Sequence, residues 1–346
     1  MVTADVAVVG AGPAGASVAI ALARRGLRVN VYEKARQPRL KPCGEGILPH
    51  GVTALAATFG ALPEAPRVRG LRFVVAGRSV EADFPEGFGL VARRDRLHQW
   101  LLDRLAATPG IDVRMGTPYA PDGERFVVGA DGLLSTFHRR LPGHRPARRR
   151  VGLSTHIAGL DGVGDRVEVF FHRHGEIYLA PAGGGEVLAA GLFYQDTFRR
   201  DGLTFLLHDI PELRARSARI ELTTPMLAAA PLGLQVPRVV DDSLLLTGDA
   251  AGAPDPITGD GMAMAFASAE PAADAIASGD LRSYQLFRTA LGRRTDRLGR
   301  LLLALGRVEH RTAHGLLGRP SLVPTLLDVA IGRRPMNAAT LLRAVL

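Results

Sequence analysis

The first 35 residues alternate apolar and glycine-rich stretches in an order that strongly limits the fold. Asp5 to Gly10 is a short β-branched run, typical of a buried parallel strand. The segment from Gly10 to Gly15 reads G-x-G-x-x-G, and the Ala- and Leu-rich residues that follow up to Gly26 predict a helix. A second strand is predicted from Arg28 to Glu33. This order predicts a Rossmann-type α/β domain.

Each glycine of the turn has a separate predicted purpose. Gly10 makes the tight turn, Gly12 lets the backbone approach a pyrophosphate, and Gly15 lets the helix pack closely on the strand. The helix N-terminus faces the phosphates, and Glu33 accepts hydrogen bonds from a ribose diol. Because a carboxylate repels a 2′-phosphate, the site suits FAD or NAD rather than NADP. The predicted dinucleotide contacts in this segment are Gly10, Gly12, Pro13, Ala14, Gly15, Glu33 and Lys34.

The composition describes a packed globular protein with a basic charge that is spread along the chain. The 346 residues suffice for about two domains, and the formal net charge is +9. Arginines supply nearly all of the positive charge and aromatic residues are only 5%, so nucleic acid is not an expected partner. The densest run, Arg145 to Arg150, is expected on a solvated loop.

Two further features bear on the compartment. Cys43 is the single cysteine, so no internal disulfide forms and the expected location is the cytoplasm. The apolar stretch from Val6 to Ala23 is long enough to suggest a membrane span, but its glycines and Pro13 stand where a spanning helix favours leucine. The stretch is therefore assigned to the strand, turn and helix above.

Two later segments also end a hydrophobic strand with an aspartate and small residues. Val127 to Ser135 contains Gly129-Ala-Asp131-Gly132, and Leu244 to Gly252 contains Gly248-Asp249-Ala. The carboxyl ends of strands are where doubly wound sheets bind ligands. With the first turn, these segments resemble the flavoprotein superfamily that contains para-hydroxybenzoate hydroxylase and geranylgeranyl reductase, in matching order through most of the chain.

The resemblance implies bound FAD and further cofactor contacts. Asp249 matches the residue that binds the ribityl chain, although an ordinary helix cap is the alternative for it. A helix beginning near Met262 would direct its N–H groups at the flavin. Arg94 matches the arginine of an R-x-x-L-x-x-x-L helix start, and Asp131 is expected near the cofactor. The middle motif departs from the family because His138 stands where arginine is usual. The additional FAD contacts that the resemblance implies are Arg94, Asp131, Asp249, Pro256, Gly259, Gly261 and Met262.

The chemistry is expected at a loop that resembles the C-G-E-G segment of geranylgeranyl-reductase-like flavoproteins. It reads Lys41-Pro-Cys43-Gly-Glu45-Gly. Cys43 is a candidate redox or proton-donating group, or else an inert small hydrophobe. Glu45 is a candidate for orienting the flavin or substrate, or for general acid catalysis. Tyr178 is a candidate substrate contact, because Glu176-Ile-Tyr178-Leu-Ala180-Pro replaces the usual Y-x-W-x-F-P; strand packing is its alternative.

The predicted fold is α/β, with a discontinuous Rossmann-like FAD domain, a mostly antiparallel substrate domain and C-terminal helices. We predict the FAD domain at 1–60, 92–150 and 235–290, the substrate domain at 61–91 and 151–234, and a helical segment at 291–346. A hairpin is expected around Gly77. The amphipathic C-terminal part either packs on the domain or docks on a membrane surface.

The sequence is compatible with three functions. The leading hypothesis is a monooxygenase that uses NAD(P)H and O2 to hydroxylate an aromatic or polyketide-like apolar substrate. The alternative is a flavin-dependent reductase of isoprenoid C=C bonds, and a more distant one is a non-catalytic FAD- or lipid-binding protein. Because no second Rossmann fingerprint appears, NAD(P)H is expected to bind only transiently. The sequence shows no metal-ligand cluster.

Overall fold

The computed structural model describes residues 4–146, 150–196, 198, 201–217, 219–230, 232–306, 322–330, 333, 334 and 337. The strands are, in chain order, β1 (Val6–Val9), β2 (Val29–Glu33), β3 (Gly46–Ile47), β4 (Arg67–Val68), β5 (Gly70–Val75), β6 (Arg78–Asp83), β7 (Gly89–Val91), β8 (Ile111–Met115), β9 (Phe126–Gly129), β10 (Arg145–Pro146), β11 (Arg150–Ala158), β12 (Arg166–His172), β13 (Gly175–Gly183), β14 (Glu186–Tyr194), β15 (Glu221–Leu222), β16 (Leu227–Ala229), β17 (Leu234–Gln235) and β18 (Leu244–Leu246).

The helices connect these strands and cover the sheets. They are α1 (Pro13–Arg24), α2 (Pro49–Phe59), α3 (Arg94–Ala106), α4 (Gly202–Asp209), α5 (Pro211–Arg216), α6 (Gly261–Ala267), α7 (Ala269–Ser278), α8 (Leu281–Gly306) and α9 (Leu322–Ala330). Three short 3₁₀ helices lie at Thr136–Arg139, Gly248–Ala251 and Pro256–Thr258.

A five-stranded parallel sheet forms the first layer, in the order β18-β9-β1-β2-β8. Its central strand β1 is buried along its whole length, as its β-branched sequence requires. Helix α1 packs against α6 and α7, and α3 packs against α1 and β8. The predicted fold class is confirmed. All five strands lie within the three segments assigned from the sequence to the FAD domain.

The second layer is an eight-stranded, mostly antiparallel sheet with the order β15-β11-β14-β13-β12-β5-β6, and β16 also pairs with β11. Strands β5 and β12 form its one parallel pair, with Phe73 beside Val169. The hairpin predicted around Gly77 joins β5 to β6; Ala76 and Gly77 have φ of 47° and 78°, the consecutive left-handed residues of a type I′ turn.

The two faces of this sheet have different neighbours. One face packs its apolar side chains against α4 and α5, around Phe170, Ile177 and Leu206. The opposite face, with Val169 and Phe171, forms a separate apolar cluster with residues of α8 and α9. This second face is where a large cavity opens.

The C-terminal part is helical where it is described, in α8 and α9, as the amphipathic pattern predicts. The remainder of the predicted helical segment, residues 307–321 and most positions after 330, lies outside the described residues. Within the described ranges, no helix combines the length and apolar character needed to cross a bilayer.

Candidate active site

A cavity of about 700 Å³ lies between the carboxyl edge of the parallel sheet and the second face of the large sheet. It brings together residues that are far apart in sequence, as the carboxyl ends of parallel strands are expected to do. The sequence-predicted site residues that line it are Gly12, Pro13, Ala14, Cys43, Glu45, Arg94, Tyr178, Asp249, Pro256, Gly259, Gly261 and Met262. Gly10, Gly15, Glu33, Lys34 and Asp131 are not among its lining residues.

The three glycines of the first turn have different surroundings. A Cβ at Gly15 would stand 1.8 Å from the carbonyl oxygen of Gly10, and a Cβ at Gly10 would stand 2.5 Å from that of Ala130. Gly10 also has a φ of 106°, which favours glycine. A Cβ at Gly12, in contrast, would meet no atom within 4 Å, because Gly12 borders the cavity. Two glycines therefore allow close backbone packing, and Gly12 keeps space open at the start of α1.

Glu33 binds the backbone of the glycine-rich turn. Its carboxylate accepts hydrogen bonds from the N–H groups of Ala11 (3.1 Å) and Ala35 (2.8 Å). Burial raises the pKa of Glu33, but these two hydrogen bonds and nearby positive charge outweigh burial and lower it. The carboxylate is thus held ionised beside the turn. The neighbouring Lys34 is exposed.

Basic side chains gather where the cavity passes this turn. Arg94 lines the cavity at the start of α3, and within the described part of the chain its Nε is buried with no hydrogen-bond partner. Lys41 also lines the cavity; burial and the charge of Arg94 lower its pKa. One turn along α3, burial lowers the pKa of His98. The sequence pattern identified Arg94 as a cofactor contact but predicted no role for Lys41 or His98.

Asp249 lies on the opposite side of the same region. Its side chain is exposed to the cavity at the 3₁₀ helix Gly248–Ala251. Enclosure by the surrounding protein raises the pKa of this carboxyl, while the charges of Arg94, Lys41 and Arg288 lower it. The N-cap of this 3₁₀ helix is Thr247, and Asp249 stands in the first turn instead of at the cap position that was considered as the alternative.

The middle motif is connected to the Asp249 segment through His138. The Nε2 of this buried histidine lies 2.9 Å from the carbonyl oxygen of Ala250, so Nε2–H donates to it. Asp131 binds the first residue of the adjacent 3₁₀ helix, since its Oδ2 accepts from the N–H (2.8 Å) and hydroxyl (3.0 Å) of Thr136, while Ser135 caps that helix. His138, which departs from the family pattern, thereby joins two of the three motifs.

The loop predicted to pass beside the flavin runs along the cavity from Pro254 to Met262. Helix α6 begins at Gly261, one residue before the predicted start, and its preceding residue Asp260 is buried. The Asp260 carboxylate lies 2.7 Å from the ring Nε2 of His50 and accepts from the hydroxyl of Thr295 at 2.9 Å. The loop is therefore fixed to α2 on one side and to α8 on the other.

Cys43 and Glu45 both line the cavity, but their polar atoms are used differently. Glu45 is buried with a φ of 53°, and its carboxylate accepts from the N–H of Arg94 (2.9 Å) and lies 2.9 Å from His156 Nε2. The Cys43 sulfur accepts from the N–H of Glu45 at 3.3 Å. Both oxygens of Glu45 are thus engaged in holding α3 and β11, whereas the S–H of Cys43 remains available as a donor.

The position of Arg150 contradicts one expectation from the sequence. Arg150 was expected on a solvated loop, but it begins β11 and is 2% exposed. Its guanidinium pairs with Asp255 (2.9 Å) and closely with Glu176, both of which are also buried. A local run of arginines cannot reveal this burial, because the two carboxylates come from distant parts of the chain. Arg145 is exposed as expected, and positions 147–149 lie outside the described residues.

Helix α8 supplies contacts that the sequence pattern did not indicate. Buried Arg288 donates from Nη2 to the carbonyl oxygens of Ala251 (3.2 Å) and Gly252 (3.1 Å). Two further turns along, Thr295 binds Asp260, and Leu298 and Leu302 line the cavity. One helix therefore contacts the Asp249 segment, the Pro254–Met262 loop and the apolar end of the cavity.

No metal site is evident in the described ranges, where no group of three or more His, Cys, Asp or Glu residues is placed to hold an ion.

A family model and two relatives that are similar to this chain are all described as oxidoreductases or reductases. A family model described as FAD dependent oxidoreductase matches residues 5–118. A menaquinone reductase of Mycobacterium tuberculosis is 29% identical over 321 residues, which cover 81% of this chain and 78% of that protein. A digeranylgeranylglycerophospholipid reductase of Methanopyrus kandleri is 27% identical over 328 residues, covering 81% of each.

Among solved structures, a variant of the flavin-dependent brominase Bmp2 superposes with a TM-score of 0.81 at 17% identity. The superposition covers 99% of this chain and 98% of the brominase chain. At this identity the likeness concerns the fold: both sheets and the helices of the present chain have counterparts in a flavoenzyme.

Proposed function

We propose that this chain, an FAD-dependent oxidoreductase of the superfamily that contains para-hydroxybenzoate hydroxylase and geranylgeranyl reductase, reduces C=C bonds of an isoprenoid-like lipid. The observation that carries this proposal is the composition of the cavity beyond the motif residues. That half of the cavity is lined by apolar side chains from the large sheet, α8 and α9, which are Leu71, Phe73, Val167, Val169, Phe171, Ala180, Ala190, Leu298, Leu302, Val323, Leu326 and Leu327.

We call this set the apolar arm. Its strand residues stand on one face of the sheet, as the register shows: Phe73 pairs with Val169, Val169 with Tyr178, and Tyr178 with Ala190. Ala180 and Ala190 are small, so the floor of the arm is left open between larger neighbours. An apolar chain would replace water along this surface at about 25 cal/mol per Å² of area buried. The arm is suited to a lipid tail rather than to a polar substrate.

The residues at the other half of the cavity fit FAD. The open space at Gly12 and the α1 N-terminus suit a pyrophosphate, and the unpartnered Nε of Arg94 offers a buried donor beside it. The Asp249 carboxylate, exposed to the cavity, suits a polyol chain. When bound and reduced, FAD supplies a hydride equivalent. The two halves meet at Tyr178 and Ile257, which pack in one apolar cluster.

The reduction also requires a proton, and Cys43 is the better placed of the two predicted donors. Its thiol lines the cavity, and its S–H is not needed for the contact with the Glu45 N–H, which the sulfur accepts. Glu45 has both oxygens occupied, so we assign it a positioning task at α3 and β11. This division follows from the hydrogen bonds of the loop.

The relatives named above support reduction, because they are a menaquinone reductase and a prenyl-lipid reductase that align over most of this chain. Hydroxylation with O2 was favoured from the sequence. The likeness to the flavin-dependent brominase Bmp2, at 17% identity, concerns the fold and does not bear on this choice. NAD(P)H as the transient reductant remains part of the proposal and is tested by bleaching of the bound flavin.

The decisive experiment is anaerobic reoxidation of the photoreduced holoenzyme by geranylgeranyl lipids or a menaquinone. Recovery of the oxidised flavin spectrum is expected, with a product that carries one additional pair of hydrogens in its isoprenoid chain rather than on a quinone ring. Reoxidation only by O2, with hydroxylation of a phenol or polyketide, would overturn the proposal.

A matched pair of variants connects this result with the apolar arm. Ala180→Phe fills the floor of the arm and should abolish reoxidation by lipid while reoxidation by O2 continues. Leu286→Phe, at an exposed position of α8, should behave as wild type. Equal rates with lipid in both variants would show that the substrate binds elsewhere.

A further inference from the structure

A buried polar cluster adjoins the junction of the two cavity halves. It comprises Arg150 of β11, Glu176 and Tyr178 of β13, Tyr194 of β14, and Asp255 of the Pro254–Met262 loop. We call it the Arg150 cluster. Both carboxylates and the guanidinium are about 2% exposed.

Arg150 makes contacts in several directions at once. Its Nη1 donates to Asp255 Oδ1 at 2.9 Å, and its Nη2 donates to Glu176 Oε1 and to the carbonyl oxygen of Leu192 at 3.2 Å. The guanidinium also lies 5.0 Å from the centroid of the Tyr194 ring. The cation therefore joins three strands of the large sheet to the loop.

Asp255 transmits this contact to the loop itself. The same Oδ1 that pairs with Arg150 accepts a hydrogen bond from the N–H of Ile257 at 3.1 Å, which caps the 3₁₀ helix Pro256–Thr258. Asp255, Pro256 and Ile257 all line the cavity. The position of this wall of the FAD site thus depends on how firmly Arg150 holds Asp255.

The protonation of Glu176 changes the charge that Arg150 faces. Its guanidinium pairs with two carboxylates, so an ionised Glu176 places a second negative charge near Asp255 in a buried site. Burial raises the pKa of Glu176 to about 7; Arg150 and Tyr178 act to lower it, and Asp255 acts to raise it further. Burial also raises the pKa of Tyr178 well above its ordinary value, so its phenol faces the cluster uncharged at neutral pH.

We propose that Arg150 and Glu176 are positioning residues for the FAD site, and that the proton on Glu176 determines how tightly Arg150 holds the loop through Asp255. With Glu176 protonated, the guanidinium is paired with Asp255 alone. With Glu176 ionised, two carboxylates compete for one guanidinium and the loop is held less firmly. The inference concerns cofactor binding and does not depend on which substrate the enzyme reduces.

Glu176→Gln tests this directly, because glutamine keeps the size and the acceptor oxygen but cannot ionise. FAD dissociation constants are measured by flavin fluorescence for the wild type and the variant from about pH 6 to about pH 8, the interval that brackets the titration. In the wild type, FAD binding is expected to weaken about tenfold as pH rises, equivalent to one pKa unit of coupling. In Glu176→Gln the dissociation constant should stay nearly constant.

Glu186→Gln is the matched control. Glu186 lies on the neighbouring strand β14 and pairs with Arg93 at 2.6 Å, outside the cluster. It should keep the wild-type pH dependence. Arg150→Lys retains the charge but lacks the planar fork whose two nitrogens reach Asp255 and Glu176 separately, so it should weaken FAD binding at every pH while circular dichroism reports a folded chain.

The inference is overturned if Glu176→Gln retains the wild-type pH dependence, or if the wild type shows none. These outcomes are separate from the reductase test, since they are read from cofactor binding without lipid. A chain that binds FAD with the expected pH profile but fails to reduce any lipid would refute the proposed function alone.

Discussion

Substitution of Gly12 and Gly15 by alanine should separate cofactor binding from folding within one turn. A Cβ at Gly15 would stand 1.8 Å from the Gly10 carbonyl oxygen, whereas ordinary contact begins at 3.4 Å, so α1 must move about 1.6 Å away from β1. Overpacking of this kind costs about 1–3 kcal/mol. The higher helix propensity of alanine returns up to about 1 kcal/mol. We expect Gly15→Ala to lower the free energy of unfolding of the apoprotein by about 2 kcal/mol.

Gly12→Ala should have the opposite profile. Its φ of −72° suits alanine, and the added methyl meets no protein atom within 4 Å. The apoprotein should therefore unfold within about 0.5 kcal/mol of wild type. The methyl instead occupies space at the α1 N-terminus where we place the pyrophosphate. Loss of hydrogen bonds to a charged group, at about 1.5–3 kcal/mol, corresponds to FAD binding weaker by roughly tenfold to a hundredfold.

The measurements are urea unfolding of the FAD-free proteins and titration of each with FAD. Gly164→Ala serves as the control, because a Cβ there also meets nothing within 4 Å but lies outside the cavity lining. It should match wild type in both assays. If Gly12→Ala binds FAD as tightly as wild type, the placement of the cofactor at this turn is wrong.

Two further predictions concern buried polar groups. Because the folded-state pKa of Glu33 is lowered, its carboxylate contributes stability above its unfolded pKa of about 4.5 that is lost as pH falls through the folded value. Glu33→Gln should therefore be less stable than wild type at pH 7, with the difference disappearing in acid; a constant difference in urea unfolding would contradict this. His138→Ala leaves the buried Ala250 carbonyl without its donor and should cost about 1–3 kcal/mol in thermal or urea unfolding, whereas the exposed Arg139→Ala should cost less than about 0.5 kcal/mol.

The sequence predicted those parts of the molecule in which local pattern determines structure. The strand, glycine turn and helix at residues 5–26 depend on short-range packing and backbone conformation, and the structure contains them with α1 beginning at Pro13. The hairpin at Gly77 likewise follows from its turn residues. The motif around Asp249 could be located because it ends a hydrophobic strand.

Side chains whose surroundings come from distant segments could not be predicted in this way. Arg150 belongs to an arginine-rich run and Arg288 to a charged amphipathic helix, so each resembles a solvated residue in sequence. Their burial depends on Glu176, Asp255 and the carbonyl groups at the Asp249 segment, which only the tertiary fold brings near. Glu45 shows the same limit: its motif marked it correctly as part of the cavity loop, but not that both oxygens are already bonded.

Helix α8 has a consequence for how this chain can vary in length. Its 26 residues extend about 39 Å. Because the helix is rigid, the side chains that contact three separate parts of the cavity must each have the correct rotational position about its axis. One residue inserted between Arg288 and Thr295 would turn everything beyond it by about 100° and withdraw Thr295 and the apolar side chains from their partners. Insertions and deletions should therefore be rejected in this helix, while the turn between β11 and β12 can accept them.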